Sequence, residues 1–182
     1  FKTSGKLSQQ VFQFYQKDFS EKAAIETYTG QVYANLDYQS LTEEKQNYAN
    51  QHLRILSALY GILKPTDAIK PYRLDFMVPF PQDLYAFWET KILQSIEEEE
   101  LIINLASNEF SKLIPEHKLF QVNFVNDQGR SQSTMAKKAR GKFARKIIEN
   151  QCENLDDLKE IKLEGFKKIS ETKNSLTFQI QK

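Results

Sequence analysis

Met135-Ala136-Lys137-Lys138-Ala139-Arg140-Gly141-Lys142-Phe143-Ala144-Arg145-Lys146-Ile147-Ile148 is the stretch on which the rest of the chain turns. Six basic residues fall between Lys137 and Lys146 with no acid among them. The spacing still predicts one amphipathic helix, because at ~100° per residue Ala136, Ala139, Phe143 and Ile147 lie within about 80° of one another. Thr134 is the expected N-cap. Lys138, Lys142 and Arg145 cluster on the opposite side, where water is expected. Arg140 falls at the edge of the apolar stripe, beside Ile147, and Lys137 projects between Ala144 and Ile148. A cation aimed near a core costs several kcal/mol unless it is paired or serves a ligand. The plain account is a solvated helix with one or two ion pairs. The sharper account is an anion site, for phosphate.

The composition narrows the class. A chain of 182 residues that is 40% apolar and 12% aromatic can build a core and is not a disordered polymer. The net charge of +1 gives no global sign of a nucleic-acid partner. Charge is segregated, however: Glu97 to Glu100 are acidic and 137–146 basic. The single cysteine, Cys152, excludes an intrachain disulfide and a Cys-rich zinc site. No apolar run approaches the ~20 residues that span a bilayer, and no signal peptide is visible. The expectation is a soluble cytoplasmic protein without membrane contact. The chain begins at Phe1 rather than Met, so a preceding segment is expected.

Outward from the basic helix, 8–22 reads as a helix on Val11, Phe12, Tyr15 and Phe19. Residues 24–33 read as β-like around Gly30. Ser40-Leu41-Thr42-Glu43 matches a capping box and opens a helix to about Tyr60, ended by Gly61. Pro65, Pro71, Pro79 and Pro81 interrupt the next stretch, which carries Lys64, Lys70, Arg73 and Tyr72. A helix is expected from Asp83 to about Glu97. Leu101-Ile102-Ile103 reads as a strand covered on both faces, followed by a short helix from Glu109 to Leu113. Phe120, Val122 and Phe124 alternate as a strand, with Ser131–Ser133 returning antiparallel. A short helix over 155–161 and a hairpin of 165–169 with 176–180 close the chain. Together these give one α+β domain over 1–182, a mixed sheet surrounded by helices.

Two further groups could carry chemistry. Asn104, Ser107, Asn108 and Glu109 gather where a buried strand meets a helix start, a common place for a polar ligand pocket, although capping alone explains Ser107 or Asn108. Leu56 to Ile69 reads as helix, tight hairpin, short helix, a turn able to offer backbone N–H groups to a phosphate. No Gly-rich phosphate loop, nucleophile elbow or metal spacing is present. His52 and His117 sit in unrelated contexts. No catalytic residue, metal or cofactor is assigned.

Several blocks in series carry a resemblance. Tyr28-Thr29-Gly30-Gln31-Val32-Tyr33, Leu53 through Asp67, Pro71-Tyr72-Arg73-Leu74, Leu84-Tyr85-Ala86-Phe87-Trp88, Asn104-Leu105-Ala106-Ser107-Asn108-Glu109-Phe110 and Ala136-Lys137-Lys138-Ala139-Arg140-Gly141 resemble the YaaA peroxide-stress family. The resemblance implies a cytoplasmic protein that tolerates peroxide by binding DNA, limiting damage and lowering free iron. It also implies a compact α+β fold with a helix-hairpin-helix-like element, and an N-terminal segment that this chain lacks. Gly61, Lys64, Thr66 and Asp67 align with that element's hairpin, though Leu63 stands where its second glycine is usual. Ala58, Phe76-Met77-Val78 and Lys142 depart from the family pattern.

The expected partner is therefore DNA, duplex or distorted, bound without sequence preference. Lys137, Lys138, Arg140, Lys142 and Arg145 would contact phosphates, joined by Gly61, Lys64, Thr66 and Arg73, with Tyr72 stacking on a base. The alternative is an enzyme acting on a nucleotide or nucleobase, with Asn104, Ser107, Asn108 and Glu109 lining the pocket and Arg140 holding a phosphate. The oligomeric state stays open.

Overall fold

The computed structural model describes residues 17–77 and 81–181. The helix expected over 8–22 lies largely outside these residues, as do Val78, Pro79 and Phe80. The α+β class holds, and so does the mixed sheet. The described chain groups into two compact units.

The first unit takes in the chain up to Tyr28, Leu53–Glu100 and Ala106–Glu116. Strand β1 (Lys22–Ala23) pairs antiparallel with β4 (Ala68–Ile69) and leads into α1 (Ala24–Thr27). The Ala24 and Ile25 N–H groups donate to the Asp67 and Pro65 carbonyls at 2.8 and 3.0 Å. Ala24 to Thr27 is thus helical where the alternation of Ile25 and Tyr28 predicted a strand.

The helix expected to run to Tyr60 stops at His52. Beyond it, β2 (Ile55–Ser57) and β3 (Gly61–Leu63) form an antiparallel hairpin. The helix-hairpin-helix reading is corrected here: this turn is a β-hairpin. Its cause is local. The Ser57 hydroxyl accepts from the N–H groups of Leu59 and Tyr60 at 3.2 and 2.8 Å, which satisfies the backbone in a turn rather than a helix. Gly61 adopts φ 78°, and an added Cβ would meet Trp88 Cζ3 at 2.5 Å. The Trp88 indole N–H donates to the Ala58 carbonyl at 2.9 Å. Trp88 lies on α4 (Leu84–Ser95), the helix expected from Asp83, which Asp83 caps through the Tyr85 and Ala86 N–H groups. A further short helix, α5 (Asn108–Ser111), completes this unit.

The second unit comprises Thr29–His52, Leu101–Leu105 and His117–Lys182. Helix α2 (Gln31–Leu36) begins at Gly30, again where a strand was expected, and ends at Asp37 in the left-handed region, φ 49°. Helix α3 (Glu43–His52) follows Thr42, whose hydroxyl accepts the Lys45 N–H at 3.5 Å. The sheet runs in the order β5 (Ile102–Asn104), β6 (Leu119–Val125), β8 (Ser175–Ile180), β7 (Phe166–Thr172). The first three are parallel neighbours, and β7 is antiparallel to β8. Strand β5 is an edge strand with Ile102 and Ile103 partly buried, not a strand covered on both faces. No strand returns at Ser131–Ser133. The Asn126 side chain accepts from the Gln128 and Arg130 N–H groups, and the chain turns straight into α6 (Ser133–Asn150). Thr134 is inside that helix; Gln132 holds the cap position without a side-chain bond.

Phe120, Val122 and Phe124 of β6 and Leu176 and Phe178 of β8 point to one face of the sheet, where Ala136, Ala139 and Phe143 of α6 cover them. Leu158 of α7 (Leu155–Lys159) closes the same core. The other side of α6 meets α2. There Gly141 is decisive: an added Cβ would overlap the Val32 carbonyl oxygen and meet Asn35 Cβ at 2.8 Å.

Helix propensity alone makes Gly→Ala stabilising by roughly 1 kcal/mol in a helix interior. Backbone contact reverses the sign here. Gly141→Ala is expected to lower the free energy of unfolding by about 1–3 kcal/mol, the range for overpacking. Urea unfolding measures it, and a gain in stability would refute the close packing.

Candidate polyanion-binding surface

The six cations of α6 divide by what their side chains meet. Lys137, Lys138 and Lys142 are exposed and form no hydrogen bond or ion pair among the described residues. Lys137 was expected to point inward; instead its flexible stem carries the ammonium to water.

Arg145 was expected to face water, and does not. Its Nη1 donates to the carbonyls of Leu36 and Asp37 at 3.0 and 2.9 Å and to the Ser40 hydroxyl at 2.8 Å. Its Nε donates to Glu149 at 2.7 Å, and the Asp37 carboxylate lies 3.5 Å away. The guanidinium therefore closes the C-terminal end of α2, whose last carbonyls have no helical donor. Lys146 also binds Glu149, at 2.8 Å. The Lys146 hydrogen bond, helped by Arg145, holds the Glu149 carboxyl below the usual glutamate value against an opposing effect of burial. Two of the six charges thus serve the fold.

Arg140 differs from both groups. Its Nε is buried and has no hydrogen-bond partner.

In the first unit, Lys64, Thr66 and Arg73 are exposed. The Lys64 N–H is held by the Asp67 carboxylate at 2.8 Å, which shapes the turn behind β3. Tyr72 stands between Tyr28 and Tyr60 in edge-on contacts. Its hydroxyl accepts from Ser57 at 2.8 Å and lies 2.9 Å from that of Tyr28. Tyr72 and Tyr60 line a cavity of about 410 Å³ with Leu59, Pro71, Lys17 and Lys70. Lys70 is paired with Asp18 at 3.5 Å. Tyr60 and Lys17 carried no sequence signal for this role, since the turn that aims Tyr60 depends on Ser57.

The polar group of the strand end is divided. Asn104 is in the second unit, and its amide donates to Gln121 on β6 at 2.7 Å, within an in-register pair of strands. Ser107, Asn108 and Glu109 are in the first unit. Ser107 holds the N-cap position of α5 without a side-chain bond. The Glu109 carboxylate accepts the Phe76 N–H at 3.0 Å, and its carbonyl accepts from Tyr85 at 3.0 Å. Each of these bonds has a structural purpose.

His52 stacks on Tyr48 at 4.3 Å. Burial pushes the Tyr48 hydroxyl up to about 12, with the Cys152, Glu153 and Asp157 charges adding to it, and that hydroxyl donates to the Cys152 carbonyl. Burial also raises the Cys152 thiol, which disfavours the reactive thiolate. Among the described residues no three His, Cys, Asp or Glu side chains are grouped to hold a metal.

The division among the cations is testable. Arg145→Met is expected to lower the unfolding free energy by about 2 kcal/mol, as charge-assisted hydrogen bonds are lost. Thermal or urea unfolding reads this. Lys138→Ala, which removes no contact, should shift stability by less than about 0.5 kcal/mol.

A family profile described as peroxide stress protein YaaA matches residues 1–172. A UPF0246 protein of Marinomonas sp. (strain MWYL1) is 41% identical over 174 residues, covering 86% of this chain and 67% of that protein. One from Francisella philomiragia is 36% identical over 189 positions, covering 91% and 74%. One from Legionella pneumophila (strain Paris) is 39% identical over 174 residues, covering 85% and 68%. The blocks around Gly61, Trp88 and Gly141 thus sit in a match that spans nearly the whole sequence, and the chain belongs to the peroxide stress protein YaaA family.

Proposed function

We propose that this chain is a DNA-binding protein of the peroxide stress response, protecting DNA and limiting free iron. The family supports the stress role. The observation that carries the DNA reading is the free lysine face of α6. Lys137, Lys138 and Lys142 stand exposed and unpaired among the described residues, while on the same helix Lys146 is paired with Glu149 and Arg145 with Glu149 and Asp37. A set of exposed, mobile ammonium groups suits phosphates at variable spacing, and confers affinity without sequence preference.

The hairpin region adds a second element of the same chemistry. Lys64, Thr66 and Arg73 are exposed there, and Tyr60 and Tyr72 line a cavity of about 410 Å³. Aromatic contact with an unpaired base favours distorted or single-stranded DNA over regular duplex. The iron-limiting part rests on the resemblance to the family, and cytoplasmic location accompanies it. No helix among the described residues is long and apolar enough to cross a membrane.

Binding of duplex and single-stranded DNA is to be measured across salt concentrations for the wild type and the triple variant Lys137→Ala/Lys138→Ala/Lys142→Ala. The slope of log K against log[salt] should become shallower by about 2.7 on duplex DNA, at roughly 0.9 for each lost phosphate contact. An unchanged slope would sink the proposal, as would wild-type binding that does not respond to salt.

A further inference from the structure

Arg140 is the cation of α6 whose Nε meets neither solvent nor a hydrogen-bond partner. The buried residues of that helix are Ala136, Ala139, Gly141, Phe143, Ala144 and Ile148. On a helical wheel they span an arc of about 200°, with Ala139 and Gly141 at its two limits. Arg140 lies near the middle of the arc, between Ile147 and Ala144. It points where a hydrophobic residue belongs.

Its Nε has no exposure to solvent and no hydrogen-bond partner, and the residue makes no ion pair among the described residues. Burial lowers its pKa, but a guanidinium does not lose its proton in a protein. The result is a partly desolvated charge without a counterion among the described residues, which costs stability in the empty protein. The side chain as a whole is only partly buried, so its tip can be reached from outside.

The surroundings select the counterion. Lys137 lies one turn earlier, exposed and unpaired among the described residues, within reach of whatever Arg140 holds. No acid occurs from 137 to 146, and Glu149 is already held by Arg145 and Lys146. Two positive charges facing one ligand match a dianion better than a monoanion. A planar fork with two parallel donors matches tetrahedral phosphate oxygens.

We propose that Arg140, assisted by Lys137, is a binding site for a single phosphate dianion, either inorganic phosphate or a phosphate monoester. This site shares Lys137 with the lysine face but differs from it in its chemistry. It takes one terminal phosphate on the Arg140 fork, not a run of backbone diesters, and it stands whether or not duplex DNA binds.

The test uses the full chain at constant ionic strength. Melting temperature and titration calorimetry are measured with inorganic phosphate, a nucleoside 5′-monophosphate, a 5′-phosphorylated oligonucleotide and acetate. Wild type should be stabilised by the phosphate compounds and not by acetate. Arg140→Met should melt higher than wild type in the absence of ligand, because the unpaired charge is gone, and should lose the phosphate shift. Arg140→Lys, which keeps charge but loses the fork, should bind phosphate about tenfold more weakly. Lys138→Ala/Lys142→Ala should keep the shift.

Tighter binding of the monophosphates than of free phosphate assigns the site to monoesters; equal or weaker binding assigns it to inorganic phosphate. An undiminished phosphate shift in Arg140→Met would overturn the proposal. So would an acetate shift equal to that of phosphate. Should Arg140→Met fail to fold, wild-type affinity in Arg140→Lys would overturn it alone.

Discussion

The second unit depends on how closely α6 can approach α2. Gly141 permits contact with the Val32 carbonyl, where any side chain would force the helices apart. One turn further on, Arg145 reaches across to the Leu36 and Asp37 carbonyls and the Ser40 hydroxyl. Its reach is short enough only because the helices touch at Gly141. The contact also fixes the rotation of α6. With Gly141 turned to α2 and Phe143 to the sheet, Lys138 and Lys142 have no choice but water, and the stem of Arg140 leaves the helix among buried residues with its Nε buried.

This explains why one basic run performs three different tasks. Position on the helix, and not residue type, separates them. Lys146 and Arg145 share an acid, Glu149, one turn ahead. Lys137, Lys138 and Lys142 lie too far back to reach it. Their charge is left for a partner outside the chain. Sequence counting gives six equal cations, whereas the fold leaves three on an open face.

What could be read in advance follows the same physics. The amphipathic period of α6, the alternation of Phe120, Val122 and Phe124, and the helices expected from Asp83 and over 155–161 are local signals, and they appear as expected. The failures lie where a side chain overrides the period. Ser57 converts an expected helix into a hairpin by capturing two backbone N–H groups. Asn126 turns an expected strand into the start of α6. At the site, the basic helix and the exposure of Lys64, Thr66 and Arg73 were legible. The bond partners of Arg145 were not, since Leu36 and Asp37 are more than a hundred positions away in the chain. Glu109 looked like a chemical group and is bound to the Phe76 backbone.

The central claim is that Lys137, Lys138 and Lys142 form a face open to a polyanion while Lys146 belongs to the fold. Lysine acetylation read by mass spectrometry, with and without saturating DNA, tests it most directly. DNA should slow modification of Lys137, Lys138 and Lys142 and leave Lys146 unchanged. Equal protection of all four, or protection of Lys146 alone, would contradict the account.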